Sequence, residues 1–124
     1  MIRSTFALGF VFILACGKGS EQEAPPADNP DVQEARQTFQ TLCITCHGES
    51  GKGDGIAAKT LDPKPRNYTD KAWQASVTDE HIKEIIVKGG AGVGKSPLMP
   101  ASPQFQNKPG VLNELVRIVR SFGK

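Results

Sequence analysis

Apolar residues return at helical spacing in three stretches of the chain, with polar residues between them. Val32, Ala35, Phe39 and Leu42 fall on one face, and Asn29-Pro30 ahead of them reads as an N-cap followed by proline at the first helical position. A second helix is expected to start near Thr78, with Asp79 and Glu80 in its first turn and Val77 and Ile82 placed as a hydrophobic staple. Ile82, Ile85 and Ile86 form its stripe, and Gly89 suits its C-terminal stop. The third helix runs from about Pro109, with Leu112, Leu115, Val119 and Phe122 as its apolar face. Alternating strand patterns are nearly absent. Glycine and proline punctuate the rest, above all Gly48 to Gly55, Pro63 to Pro65 and Gly89 to Pro103. The pattern predicts an all-α fold.

The N-terminal pattern differs. Met1-Ile2-Arg3 supplies a positive start, and Phe6 to Leu14 an apolar run of nine residues, as in a secretory signal. Spanning a bilayer takes roughly 20 apolar residues, so this run is too short. Ile13-Leu14-Ala15-Cys16-Gly17 resembles a bacterial lipobox, which predicts cleavage after residue 15 and a lipid on Cys16. The other reading is an ordinary signal peptide with Cys16 incidental. Gly17 to Pro30 holds no aliphatic residue larger than alanine and reads as a flexible tether. The expected organisation is therefore 1–15 signal peptide, 16–30 lipidated tether and 31–124 one folded domain. Of 15 Lys and Arg, Arg3 and Lys18 precede the domain; of 13 Asp and Glu, Glu21, Glu23 and Asp28 do. That leaves 13 against ten, a domain charge of +3. So small a charge gives no nucleic-acid footprint.

The chemistry sits in Cys43-Ile44-Thr45-Cys46-His47. Positions i, i+3 and i+4 of a helix share a face, so both thiols and the imidazole can address one porphyrin. CxxCH is the attachment site of haem c: two thioethers to the vinyl groups, and histidine on the iron. With three cysteines in the chain and Cys16 assigned to lipid, none remains for a disulfide or a four-cysteine metal site.

Met99 is the only methionine after residue 15, and lies 52 residues beyond His47 in a Gly/Pro-rich loop. Methionine is ordinarily a core filler, but an irregular loop is poor ground for one, and a thioether suits haem iron. Its competitor is His81, which lies beside Lys83 and Glu84, off the isoleucine stripe, and is expected in solvent. Gly89 to Ser96 matches the Walker A pattern at every position. A phosphate cradle needs a helix to begin at its lysine, which Pro97, Pro100 and Pro103 oppose. No nucleotide is expected; the glycines are expected to let the backbone turn closely before Met99.

From Asp31 to Ser121 the chain closely resembles the single-haem class I c-type cytochromes of bacteria. The resemblance rests on CxxCH, on Phe39 and Ala35 four and eight residues before Cys43, on Gly48, on Met99-Pro100 after an acid-capped helix, and on a closing C-terminal helix. It departs where the family often has an aromatic, at Ile118. The resemblance implies a small cytochrome c fold of three to four helices around one covalent haem c, with Cys43 and Cys46 attached to it and His47 and Met99 on the iron. It implies that the proximal histidine donates its free N–H to a proline carbonyl, for which Pro63 and Pro65 are the candidates. Arg66, Asn67, Tyr68 and Trp73 are candidates to bond a propionate; core packing is the alternative for Tyr68 and Trp73. Lys52, Lys59, Lys64, Lys88 and Lys95 form either a solvated surface or a steering patch for an acidic partner. The function expected is electron transfer without catalysis, between redox protein partners on the periplasmic side of a bacterial membrane, inner or outer. An open-site haem enzyme is the alternative class.

Overall fold

The structure, a computed structural model, describes residues 25–124. Cys16, the signal peptide and most of the tether lie outside the described residues. Helix α1 (Pro30–Thr38) starts as its sequence dictates: the Asn29 side chain accepts from the Asp31 N–H at 2.8 Å and proline takes the first position. It runs through a π-helical turn (Phe39–Cys43) into α2 (Ile44–His47), giving one rod from Pro30 to His47. After a short 3-10 turn (Ile56–Thr60) come α3 (Lys71–Ser76), α4 (Asp79–Gly92), a 3-10 turn (Pro103–Phe105) and α5 (Pro109–Ser121). The described residues thus form four helical rods without a strand.

The core is the seam between the first rod and α5. Ala35 packs in one cluster with Val111, Leu112, Leu115 and Val116, and Val32 is buried on the same helix, all nearly inaccessible. Burying one such aliphatic side chain contributes about 1.5–3 kcal/mol. The Lys108 Nζ to Glu34 Oε1 ion pair, at 2.6 Å, closes the seam at one end. Glu114 is also buried on α5 and is compensated by Arg117 one turn on.

Two expectations change here. Leu42 is not on the buried stripe; it is 47% exposed. The π turn is the cause. Ile44 N–H reaches the Phe39 carbonyl, five residues back, and this wider turn rotates Leu42 outward while Cys43 and Ile44 pack on the core. The aromatic missing at Ile118 is supplied one turn later: Phe122 meets Phe39 at 5.6 Å between ring centroids.

Helix α4 begins under the Thr78 cap, whose hydroxyl accepts from the His81 N–H at 3.2 Å. It breaks at Gly89, which adopts φ 70°, ψ 177°, where the sequence predicts the stop. Residues 93–100 form turns, and no helix begins at Lys95. The helix N-terminus that a phosphate cradle requires is not formed. Among the described residues no helix is long and apolar enough to cross a membrane.

Candidate haem site

Cys43, Cys46 and His47 enter the site from the end of the first rod. The loop after His47 folds back beneath that end and caps it: Gly53 N–H donates to the His47 carbonyl at 2.8 Å and Gly55 N–H to the Cys46 carbonyl at 3.1 Å. The approach is close. A Cβ on Gly55 would stand 2.4 Å from the Ile44 and Thr45 carbonyl oxygens, so only glycine fits there. The glycine-rich stretch from Gly48 to Gly55 thereby gains a specific role, capping the CxxCH helix.

His47 is 7% exposed. Its Nδ1 lies 3.0 Å from the Arg66 carbonyl, so Nδ1 carries the proton and Nε2 keeps its lone pair for a metal. Here the expectation of a proline acceptor is corrected: neither the Pro63 nor the Pro65 carbonyl takes this bond. The backbone after Pro65 presents the next carbonyl instead. Burial lowers the His47 pKa below its ordinary 6.5 and so favours the neutral ring, while the bond to Arg66 acts in the opposite direction. The Tyr68 ring stacks on the imidazole with centroids 4.4 Å apart and planes 13° apart. Aromatic pairs of this kind contribute about 0.5–1.5 kcal/mol beyond area burial. Burial also raises the Tyr68 phenol above its ordinary range. The Cys43 thiol is pushed up to about 11, by burial first and then by the Cys46 thiol beside it.

Met99 comes from a separate segment, held by the glycine run that resembles Walker A. The Gly90 N–H donates to the Met99 carbonyl at 2.9 Å, Lys95 N–H donates to the Gly90 carbonyl at 2.7 Å, and Ser102 N–H donates to the Ile86 carbonyl at 2.9 Å. A Cβ on Gly90 would sit 1.8 Å from the Ser96 carbonyl oxygen. The loop is thus sewn to the end of α4 on both sides of Met99.

Cys43, Cys46, His47 and Met99 line one cavity of 390 Å³, walled mainly by apolar groups such as Phe39, Ile86, Leu98 and Val119. A second cavity of 450 Å³ adjoins it and shares the His47, Tyr68, Ile85 and Met99 walls. Cofactor sites span about 300–1,000 Å³, so the space, its apolar walls and a thiol, thiol, imidazole and thioether donor set fit a haem. Pro63 and Pro65 line the first cavity, Trp73 the second, and Arg66 and Tyr68 both. The Arg66 guanidinium lies 5.7 Å from the Trp73 ring centroid.

His81 is a correction. It does not stand clear in solvent but lines the second cavity with His47 and Met99, its side chain 36% exposed. Ile85 lies four residues on and shares its side of the helix. α4 thus turns Ile82 to the core and the His81/Ile85 side to the cavity. Of the lysines, Lys64 bonds the Ala58 and Lys59 carbonyls and Lys88 pairs with Glu84 at 2.8 Å.

Sequence reasoning missed the network behind the site. Gln74 Nε2 donates to the Tyr68 carbonyl at 2.8 Å and the Val119 carbonyl at 2.9 Å. Arg120 bonds Asp79, the Val77 carbonyl and both oxygens of Gln74. No local pattern signals the contacts that reach α5, which span 41 to 46 residues.

The sequence model of the family described as cytochrome c matches residues 32–114. This chain belongs to the cytochrome c family. Its cofactor is haem c, for which Cys43 and Cys46 provide the CxxCH thiols, and its function is haem-based electron transfer. Two curated relatives carry the name Cbb3-type cytochrome c oxidase subunit FixP. The one from Azorhizobium caulinodans is 36% identical over 101 residues, covering 81% of this chain and 30% of the relative. The one from Bradyrhizobium diazoefficiens is 28% identical over 99 residues, covering 80% and 30%. The cytochrome c chain described here therefore spans under a third of each relative's length. No solved structure matches.

Proposed function

We propose that His47 and Met99 are the two axial ligands of a haem c bound through Cys43 and Cys46, and that the domain is a one-electron carrier rather than an enzyme. The observation that supports this reading is that all four side chains line one cavity. When bound, the haem supplies an iron that alternates between Fe(III) and Fe(II). The protein's part is to hold the donors and control solvent. His47 Nε2 is left free by the bond from Nδ1 to Arg66, the glycine loop presents Met99, and apolar walls keep water away. With His47 and Met99 both holding the iron, no position on it would be left for a substrate. Pro63, Pro65, Arg66, Tyr68 and Trp73 are the further haem contacts, Arg66 acting on a propionate through its charge.

By likeness to the two oxidase subunits, the electron acceptor is a terminal oxidase of the cbb3 type, and the donor is another redox protein. The protein works on the periplasmic side, held to the inner or outer membrane through a lipid on Cys16. The test mixes reduced holoprotein with a cbb3-type oxidase in air and follows the visible bands. Reoxidation that accelerates with oxidase concentration is expected; a rate no faster than autoxidation would reject the oxidase partnership. Cys16→Ser should move the protein to the soluble fraction with its visible spectrum unchanged, since acyl anchoring, unlike a spanning helix, depends on that one side chain. Membrane retention of the variant would reject the anchor.

A further inference from the structure

A single hydrogen bond fixes one atom of a ring and leaves the ring free to swing about it. His47 has such a bond, from Nδ1 to the Arg66 carbonyl at 3.0 Å. It also has a flat neighbour: the Tyr68 ring lies 4.4 Å away and within 13° of parallel. The same short segment therefore supplies both the acceptor and the face. Tyr68 is itself anchored on every side. Its N–H donates to the Gly51 carbonyl at 2.6 Å, and its carbonyl accepts from Gln74, which also holds the Val119 carbonyl of α5. Its ring packs between Trp73 at 5.6 Å and Phe122 at 6.1 Å.

We infer that Tyr68 is a positioning residue whose ring locks the plane of the His47 imidazole, and that the network from α5 through Gln74 carries this constraint into the site. The inference rests on the reading of His47 as an iron ligand. The orientation of an axial imidazole plane decides which iron orbital it overlaps, so a partner that fixes the plane tunes the electronic structure of the metal. Tyr68 is held against His47 by its backbone bonds and its ring packing, so the face of the ring is what restrains the imidazole plane. Removing the ring would also admit water beside His47 and favour the ferric state.

The test compares oxidised holoprotein of the wild type, Tyr68→Phe and Tyr68→Leu by electron paramagnetic resonance, proton NMR and redox titration. In the wild type, a nuclear Overhauser contact between the Tyr68 and His47 rings is expected; its absence overturns the inference even if no variant folds. Tyr68→Phe keeps the face and should keep the g-values, which report the imidazole plane; a change in them would assign the positioning to the hydroxyl and overturn the inference. Tyr68→Leu should change the rhombicity of the low-spin signal and lower the potential, with the methionine-sulfur band retained. An unchanged signal would overturn the inference. Absence of histidine ligation in the wild type would reject the ligand assignment itself, a different failure.

Discussion

The Gly90 amide donates to the Met99 carbonyl at 2.9 Å, and this one bond explains why a glycine run stands where a nucleotide motif is suggested by sequence. Gly90 has no room for a side chain, since a Cβ would lie 1.8 Å from the Ser96 carbonyl. The run lets the chain double back on α4 so that the only methionine after residue 15 reaches the cavity.

Gly90→Ala should therefore lower stability by about 1–3 kcal/mol, the usual cost of overpacking, and weaken the methionine-sulfur absorption of the oxidised protein. Gly94→Ala is the comparison. Its Cβ would meet nothing within 4 Å, but its φ is 70°, so it should cost about 1–2 kcal/mol through the backbone alone and keep the band. Thermal melts and near-infrared spectra of both variants check this; equal loss of the band in both would count against the clamp.

Arg120 ties the end of α5 to the α3–α4 corner through Asp79, Gln74 and Val77. Arg120→Met should cost about 1.5–3 kcal/mol, the range for hydrogen bonds to a charged group, measured as a drop in urea midpoint at constant slope. A loss under about 0.5 kcal/mol would place the residue with ordinary surface ion pairs.

Much of this fold is legible in the chain. Val32 and Ala35, Thr78 with its acidic turn, and Leu112, Leu115 and Val119 declare their helices because each pattern is local. CxxCH and the solitary Met99 declare the donors because their chemistry is distinctive. What escapes is tertiary. The π turn that turns Leu42 outward depends on where Phe39 and Cys43 must both point. Phe122 substitutes for an aromatic at Ile118 because two positions one turn apart reach the same partner. The Arg66 carbonyl replaces a proline's because a backbone acceptor leaves no mark on residue type. His81 joins the cavity because the rotation of α4 about its axis is set by packing on α5.

The pH dependence of the apoprotein follows from His47. Its pKa is lowered in the fold by burial, so below the ordinary value of 6.5 the unfolded chain binds more protons than the folded one. Stability is then fully present above pH about 6.5 and is lost as pH falls toward the folded value. Urea midpoints of the apoprotein should be level from pH 8 to about 7 and decline below. In His47→Gln the decline between about pH 6.5 and 5 should be shallower; an identical slope would show that His47 does not carry it.

The most direct test of the account is the near-infrared spectrum of the oxidised holoprotein with Met99→Ala and His81→Ala beside the wild type. The wild type should be low-spin, with the weak band of methionine-sulfur ligation and slow carbon monoxide binding when reduced. Met99→Ala should lose the band, bind exogenous ligands and show a lower reduction potential, because a thioether favours the ferrous state. His81→Ala should retain the band. A spectrum governed by His81 and indifferent to Met99 would contradict the His47/Met99 carrier, and rapid carbon monoxide binding by the wild type would contradict a filled distal position.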